Sequence, residues 1–397
     1  MNICGIICEY NPFHNGHRYQ IEQARAAGAT HIAAVMSGSF LQRGDIACFS
    51  KWDRAKAALL SGCDLVIELP TVYALSSAER FASGAASVFE AMGCVNTLHF
   101  GSESGSIDEL MAVAKLCELL DGSERLKKRL KSGENHAAAR QALVEQELGP
   151  QAGQVLRSPN NTLGVEYLKA LIRSGSAITP QTVRRHGAEH DACGQSGEFA
   201  SATYLRQLLE QGRTGEFLSC VPESAWPVYQ HRLRDEENKI NRDALETAVL
   251  YSLRMREKED FFELPDVTEG LQNRLYQASR QAKSLPEFYT LTKTRRYTLS
   301  RLRRIALCSL LGITKEDTVL SPACLRVLGM NRRGMEILKR MRDTAKLPFG
   351  TAFAKLCEAG GRIMEVDRRA TDVYALCRKN RGPCGEDFTT PSVVLED

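Results

Sequence analysis

Through its first 210 residues the chain alternates between two periodicities, and this alternation restricts the fold more than any other feature. Short apolar runs at 2–8, 31–36, 65–69 and 95–100 are each followed by a glycine or proline turn. Segments with apolar residues at helical spacing come next, at 17–27, 51–60, 77–92 and 106–120. Strand, turn and helix in repetition predict a parallel sheet covered by helices, because parallel strands need a crossover and a helix supplies it. Gly28 and Gly93 stand where the first and third helices should stop, since glycine takes the left-handed conformation of a helix end without strain. Residues 123–150 are helical and charged, 160–174 carry an amphipathic stripe, and Ser201 is a candidate N-cap.

After residue 222 the strand signal fades. Helices are predicted over 243–258, 266–284, 297–311, 321–328 and 334–345, punctuated by Pro265, Pro286, Gly312 and Pro322. The last dozen residues, which hold Pro391 and the pair Thr389-Thr390 and follow Gly385, are expected to be loosely packed. At 397 residues the chain should hold two or three domains. The division read from the patterns is an α/β domain over 1–215 and a mainly α-helical domain over 216–397.

Hydrophobic residues at 43% and charged residues at 25% exclude wholesale disorder. The longest stretch without Asp, Glu, Lys or Arg is 17 residues, from Ala26 to Gln42, and it is broken by Gly28 and Gly38. No transmembrane helix is expected from it. Met1 leads directly into the first apolar run with no basic segment before it, so no signal peptide is expected and the reading is cytoplasmic. The 13 cysteines contain no C-x-x-C pair, and Cys4, Cys63, Cys94, Cys308 and Cys324 sit among apolar neighbours. Reduced core thiols fit this pattern better than disulfides or a metal centre, and no metal ligand is assigned.

The chemistry concentrates where the first strand ends. Glu9-Tyr-Asn-Pro-Phe-His-Asn-Gly-His-Arg18 follows an apolar strand and opens a helix. At that place in a parallel sheet a ligand meets free helix N–H groups. Within the turn, His14 and His17 can donate ring N–H bonds to phosphate oxygens, and Gly16 lets the backbone approach. This H-x-G-H turn resembles the nucleotidylyltransferase superfamily and the class I aminoacyl-tRNA synthetases. Ser201-Ala-Thr-Tyr-Leu-Arg206 is similar to the I-S-S-T-x-I-R motif of that superfamily, with Ala202 in place of the second serine. The helix N-terminus, Ser201, Thr203 and Arg206 remain available to an anion.

Further motifs narrow the resemblance. Val35-Met-Ser-Gly-Ser-Phe-Leu-Gln-Arg-Gly44, Ser50-Lys-Trp-Asp-Arg54, Asp64-Leu-Val-Ile-Glu-Leu-Pro70 and Ser158-Pro-Asn-Asn-Thr-Leu-Gly164 follow the turn in order. With Thr292-Lys-Thr-Arg-Arg-Tyr-Thr298 and Leu328-Gly-Met330, they resemble the bacterial tRNA(Met) cytidine acetate ligases over most of the chain. The resemblance implies a nucleotidylyltransferase-like α/β fold, a Rossmann-like parallel sheet with a mainly α-helical C-terminal domain. It also implies activation of acetate by ATP as acetyl-adenylate, then acetyl transfer to the N4 amine of the wobble cytidine of elongator tRNA(Met), giving N4-acetylcytidine.

The resemblance also implies roles for residues. His14, His17, Lys51 and Arg206 are the candidate catalytic donors. The ATP site should include Ile7, Cys8, Glu9, Tyr10, Asn11, Pro12, Phe13, Asn15, Gly16, Arg18, Tyr19 and Gln20 beside the two histidines. Gly101, Asn160 or Asn161, Arg184 or Arg185, Ser201 and Thr203 should complete it. Ser37, Gln42 and Arg43 are expected on the acid-substrate side. Mg²⁺ bound with ATP is expected from phosphate chemistry, but no dedicated carboxylate cage is evident. No protein partner is predicted. Asp64 and Glu68 read as structural partners and His99 as a satisfied core histidine.

The net charge of +4 conceals a division. Between Leu285 and Lys346 the chain has 14 Lys or Arg and 5 Asp or Glu. Residues 293–304 alone hold six basic side chains and no acid. On a helix, Leu299, Leu302 and Ile305 would face inward while Arg295, Arg296, Arg303 and Arg304 stay outside, available to RNA phosphates. Tyr297 could stack on a base, and Arg332 with Arg333 could extend the surface. Two other functions compete. A nucleotidylyltransferase acting on a small phosphorylated metabolite would not need the basic segment, and an RNA-binding protein with a vestigial pocket would not need intact histidines.

Overall fold

The computed structural model describes residues 1–185, 199–268 and 270–396. The first apolar run forms β1 (Ile3–Cys8), buried along its whole length. It pairs in parallel with β2 (His31–Ser37) on one side and with β6 (Thr97–Ser102) on the other. Beyond β2 lies β5 (Leu65–Leu69), and beyond β6 lies β7 (Thr179–Arg184), both also parallel. Between β2 and β5, the two-residue strands β3 (Phe40–Leu41) and β4 (Asp45–Ile46) make a small antiparallel hairpin.

Strands covered on both faces must be apolar throughout, and alternate residues feed two cores. Ile3, Ile7, Val35 and Ile67 pack on one face, while Cys4, Ile6, Met36 and Val66 pack on the other. Gly5 is required by this packing, because a Cβ there would stand 2.7 Å from the Phe89 ring.

Helix α1 (Asn15–Ala26) connects β1 to β2, and α2 (Lys51–Leu60) precedes β5. The chain thus leaves β1 toward β2 and β5, then crosses back to place β6 on the opposite side. The direction of winding reverses at β1, which opens a crevice between the carboxyl ends of β1 and β6. Among the described residues no helix is long and apolar enough to cross a membrane. Twelve described cysteines are free thiols, with Cys4, Cys63, Cys308 and Cys324 buried and Cys94 partly so.

The C-terminal half departs from expectation in one respect that matters for the site. Residues 321–328 do not form a helix. Instead β8 (Leu325–Met330) enters the main sheet antiparallel to β5, with β9 (Phe349–Gly350) and β10 (Val393–Val394) parallel to β8. The order is β10-β8-β5-β2-β1-β6-β7, with β9 also paired to β8. A short buried apolar run carries no periodicity that separates strand from helix. The last dozen residues are likewise held, through β10 and the buried Asp387. Residues 216–397 are therefore two things: helices between 242 and 311, and a return to the sheet from 325 onward. The boundary at 215/216 marks a change in sequence pattern, while the sheet spans it.

Candidate active site

The crevice at the reversal point holds a cavity of about 550 Å³. Its walls come from Ile7 to Asn11 at the end of β1, His14, His17 and Gln20 on α1, Phe100 and Gly101 on β6, and Ser201 to Arg206. Two features of the turn shape it. Tyr10 adopts φ of +48°, unusual for a residue with a side chain, and its buried ring packs edge-on against Phe13 and His17. His14 then caps α1 in a reciprocal arrangement: the Gly16 N–H donates to His14 Nδ1 at 3.1 Å, and the His14 N–H donates to His17 Nδ1 at 3.2 Å.

That arrangement fixes the chemistry of both rings. An Nδ1 that accepts a backbone N–H cannot carry a proton, so each neutral imidazole holds its proton on Nε2. Burial pushes His14 down to about 3 and His17 well below the ordinary histidine range, and nearby Arg185 acts in the same direction. The rings stack with centroids 3.7 Å apart. The site therefore offers two aligned neutral N–H donors, and positive charge comes from arginines. Arg206 is anchored by donation to the Asn11 carbonyl at 2.8 Å and to Thr203 Oγ1 at 3.2 Å. Arg43 and Arg185 also line the cavity, and neither guanidinium has a hydrogen-bond partner among the described residues.

The structure separates the paired alternatives. Arg185 borders the cavity, and a Cβ on Gly101 would press on its side chain at 3.1 Å. Arg184 is exposed and packs over Gly105 instead. Asn160 lines the cavity, with its Nδ2 donating to Glu103 at 2.7 Å and its Oδ1 left to accept. Asn161 is buried, and its Oδ1 accepts from the Glu103 and Ser104 N–H groups. Ser201 Oγ caps its own helix, Ala202–Glu210, by accepting from the Tyr204 N–H.

Within the run 7–20, Ile7, Cys8, Glu9, Tyr10, Asn11, His14, His17 and Gln20 line the cavity. Gly16 and Tyr19 line an adjoining one of about 370 Å³. Pro12 and Phe13 are buried in the turn, and Asn15 donates its N–H to the Cys220 carbonyl. Arg18 points away, paired with Glu22 at 2.7 Å.

Several expectations are corrected. Lys51 does not reach the cavity. It is buried, and its Nζ is spent on Glu68 (2.7 Å), Asp387 (2.8 Å) and Thr371 (3.0 Å). Arg326 from β8 joins the same two carboxylates at 3.0 and 2.6 Å, so β8 and the C-terminus claim a lysine whose place in a motif suggested phosphate. Ser37 is fully buried, with its carbonyl held by Arg54, and does not line the acid-substrate side as Gln42 and Arg43 do. Arg304 is buried against Asp266 at 3.0 Å rather than solvent-facing, and Tyr297 is buried between Arg296 and Arg301. Arg332 and Arg333 follow an antiparallel strand, which carries them to the end of the sheet opposite the cavity. Arg295, Arg296 and Arg303 remain at least partly exposed. His99 is buried as expected, but its Nδ1 has no partner and burial lowers it to about 4.

Arg54 closes one of the motifs above but was assigned no role; it is fully buried and donates to the carbonyls of Glu9 (2.6 Å), Ser37 (3.0 Å) and Phe49 (3.1 Å). It holds the ends of β1 and β2 together under the cavity floor. The apolar wall of Phe81, Phe100, Leu163 and Tyr167 was also missed, because such residues are indistinguishable from core until the strand ends are placed.

The comparisons agree with this geometry. The profile of the family described as HIGH Nucleotidyl Transferase matches residues 1–386. The tRNA(Met) cytidine acetate ligase of a Thermoanaerobacter species is 37% identical over 404 residues, covering 100% of both chains. That of Acetivibrio thermocellus is 33% identical, again over 100% of both. Thermotoga maritima TmcAL bound with alpha-thio ATP superposes over the full length of both chains, with a TM-score of 0.90 at 32% identity. Its apo form gives 0.92 at the same identity.

Proposed function

Since this chain belongs to the tRNA(Met) cytidine acetate ligase family, within the HIGH nucleotidyl transferases, we propose that the sheet cavity activates acetate and the helical region presents the RNA. The protein is an ATP-dependent ligase that acetylates a tRNA cytidine. In the first step an acetate oxygen attacks the α-phosphorus of ATP and pyrophosphate leaves, giving acetyl-adenylate. In the second the N4 amine of the wobble cytidine of elongator tRNA(Met) attacks the acetyl carbonyl. AMP leaves, and the amine loses a proton.

The observation that carries this reading is the His14–His17 pair, with both Nδ1 atoms committed to backbone N–H groups and both Nε2–H groups left to donate. Attack at phosphorus moves negative charge onto bridging and leaving oxygens. Prearranged neutral donors in a partly buried site stabilise that charge without a protein nucleophile. Arg206 adds a fixed positive charge, and Arg43 and Arg185 add two more whose guanidiniums have no hydrogen-bond partner among the described residues. Asn160 offers its free Oδ1 to the nucleoside, and Gly101 gives it room. Among the described residues Glu9 is the one carboxylate in the cavity wall. Its Oε1 accepts from the Gln42 N–H at 2.7 Å, and burial raises it from its usual range. A divalent ion would be held mainly by phosphate oxygens and would supply charge neutralisation, since no group of three candidate ligands gathers among the described residues.

RNA contact is assigned to Arg295, Arg296 and Arg303 within the 216–397 region, and the work is placed in the cytoplasm, where tRNA and ATP meet. The test is to incubate the protein with ATP, labelled acetate and elongator tRNA(Met). N4-acetylcytidine and AMP are expected in equal amounts. Tight ATP binding without label on the tRNA would overturn the reading.

A further inference from the structure

A second cleft opens beside the ATP cavity, and the two share the Thr203–Arg206 wall. It has a volume of about 640 Å³, within the range of ligand sites of roughly 300–1,000 Å³. One side is the Ala202–Glu210 helix, and the others are three helices of the C-terminal half: Arg242–Arg254, Leu285–Thr292 and Leu299–Leu311. The hairpin turn between β3 and β4 closes the floor. Gly44 there has φ of +75°, and a Cβ on it would stand 2.7 Å from the Arg304 backbone nitrogen. The basic helix is thus seated directly on the turn whose Gln42 and Arg43 line the first cavity.

The charges in this cleft are unevenly spent. Arg242 is neutralised by Asp45 and lies 3.8 Å from Glu210. The carboxylate of Glu246 accepts from the Leu285 N–H at 3.1 Å. Lys293 and Arg303 have no ion-pair or hydrogen-bond partner for their side chains among the described residues. The Arg303 guanidinium lies 6.0 Å from the centroid of the Tyr289 ring, and the Tyr289 hydroxyl also lacks a hydrogen-bond partner among the described residues. Two uncompensated cations beside an aromatic ring, opening onto an anchored arginine of an ATP site, fit one kind of ligand. A pyrimidine nucleotide turned out of an RNA loop would rest its base on the ring and lay its flanking phosphates on the cations.

We propose that this cleft receives the acceptor cytidine, with Tyr289 as its stacking platform and Lys293 and Arg303 as its phosphate contacts. The proposal rests on the reading of the first cavity as the site of acetate activation. It adds residues to the RNA-binding set that charge alone would not select: Tyr289 lies outside the run 293–304, and Arg304 within that run faces away. Arg206 and Thr203 then form the boundary across which the N4 amine meets the acetyl group.

The test is a photocrosslink. An elongator tRNA(Met) transcript with 4-thiouridine in place of the wobble cytidine is bound to the full-length protein and irradiated, and the attached peptide is sequenced. Attachment to a segment that lines the cleft, within residues 203–210 where the sulfur replaces the N4 amine or within 242–246 or 285–307, is expected, whereas attachment outside the cleft wall overturns the proposal. In parallel, Tyr289→Ala is expected to lower kcat/KM for tRNA by about tenfold, the worth of one stacked base. Tyr289→Phe is expected to retain it. Equal losses in both variants, or none in either, would overturn the platform. Acetate-dependent exchange of label between pyrophosphate and ATP reports the first cavity alone. Its absence from the wild-type protein would count against the underlying reading, while the crosslink would still judge the cleft.

Discussion

Two polar clusters sit close to the carboxyl ends of β1 and β5, two strands of the same sheet with β2 between them, and they have opposite purposes. At the end of β1, His14, His17, Arg206 and Arg43 surround a cavity, and each keeps at least one donor without a partner among the described residues. At the end of β5, Lys51, Glu68, Arg326 and Asp387 are buried and satisfy one another, with Asp387 Oδ2 the exception. Both clusters arise from motifs of mixed polar and aromatic residues after an apolar strand. What separates them is whether the chain later returns to cover them. It covers the second, through β8 and the C-terminal segment around Asp387, and leaves the first open. Unspent hydrogen-bonding capacity, rather than polarity, marks the site.

The sharpest way to break this comparison is Lys51→Met. Removing one partner of a buried ion cluster leaves carboxylates uncompensated, and a loss of about 3–5 kcal/mol in unfolding free energy is expected by denaturant titration. Folded protein should still bind ATP. A variant of normal stability that has lost ATP binding would put Lys51 back at the phosphates. Next in size are His14→Ala and His17→Ala. Each is expected to lower acetate-dependent pyrophosphate exchange by about 10²–10³-fold. Binding of tRNA in a filter assay should persist in both.

A smaller effect sharpens the same contrast within the basic helix. Arg303→Ala should flatten the dependence of log affinity for tRNA on log salt by about 0.7, as one lost phosphate contact on an unpaired loop. Arg304→Ala should leave that slope unchanged and lower stability instead, because Arg304 faces Asp266.

The smallest effect is in pH. His14 and His99 titrate in the folded state near 3 and 4, and His17 also lies far below its ordinary value. Below pH 6.5 the unfolded chain takes up protons that the folded chain refuses, so these residues make stability rise with pH from about 4 to 6.5. Asp367 opposes them. It is raised to about 7 by burial and by Glu68, so the folded state holds its proton where the unfolded state does not. Stability should still rise across this window, and more steeply in Asp367→Asn. A flat profile in that variant would mean that the rings are not held neutral.

The sheet and the site were legible where local sequence determines them. The strands β1, β2, β5 and β6, with α1, α2 and the H-x-G-H turn, all follow from short-range pattern and turn chemistry. The missing parts depend on partners far along the chain. Lys51 is taken out of the site by Asp387, and β8 is a strand because β5 presents an edge for it to pair with. Arg304 is turned inward by Asp266, 38 residues away. Choices between Asn160 and Asn161, or Arg184 and Arg185, needed the strand ends in place, because adjacent residues differ only in the direction they face.

The most direct test measures both clusters in one assay. Acetate-dependent pyrophosphate exchange is followed for wild type, His17→Ala and Lys51→Met at low temperature, and each rate is divided by the folded fraction from circular dichroism. The account predicts a folded His17→Ala protein with almost no exchange, and a destabilised Lys51→Met protein whose exchange per folded molecule approaches that of wild type. A stable Lys51→Met protein without exchange, or a His17→Ala protein with normal exchange, would contradict it.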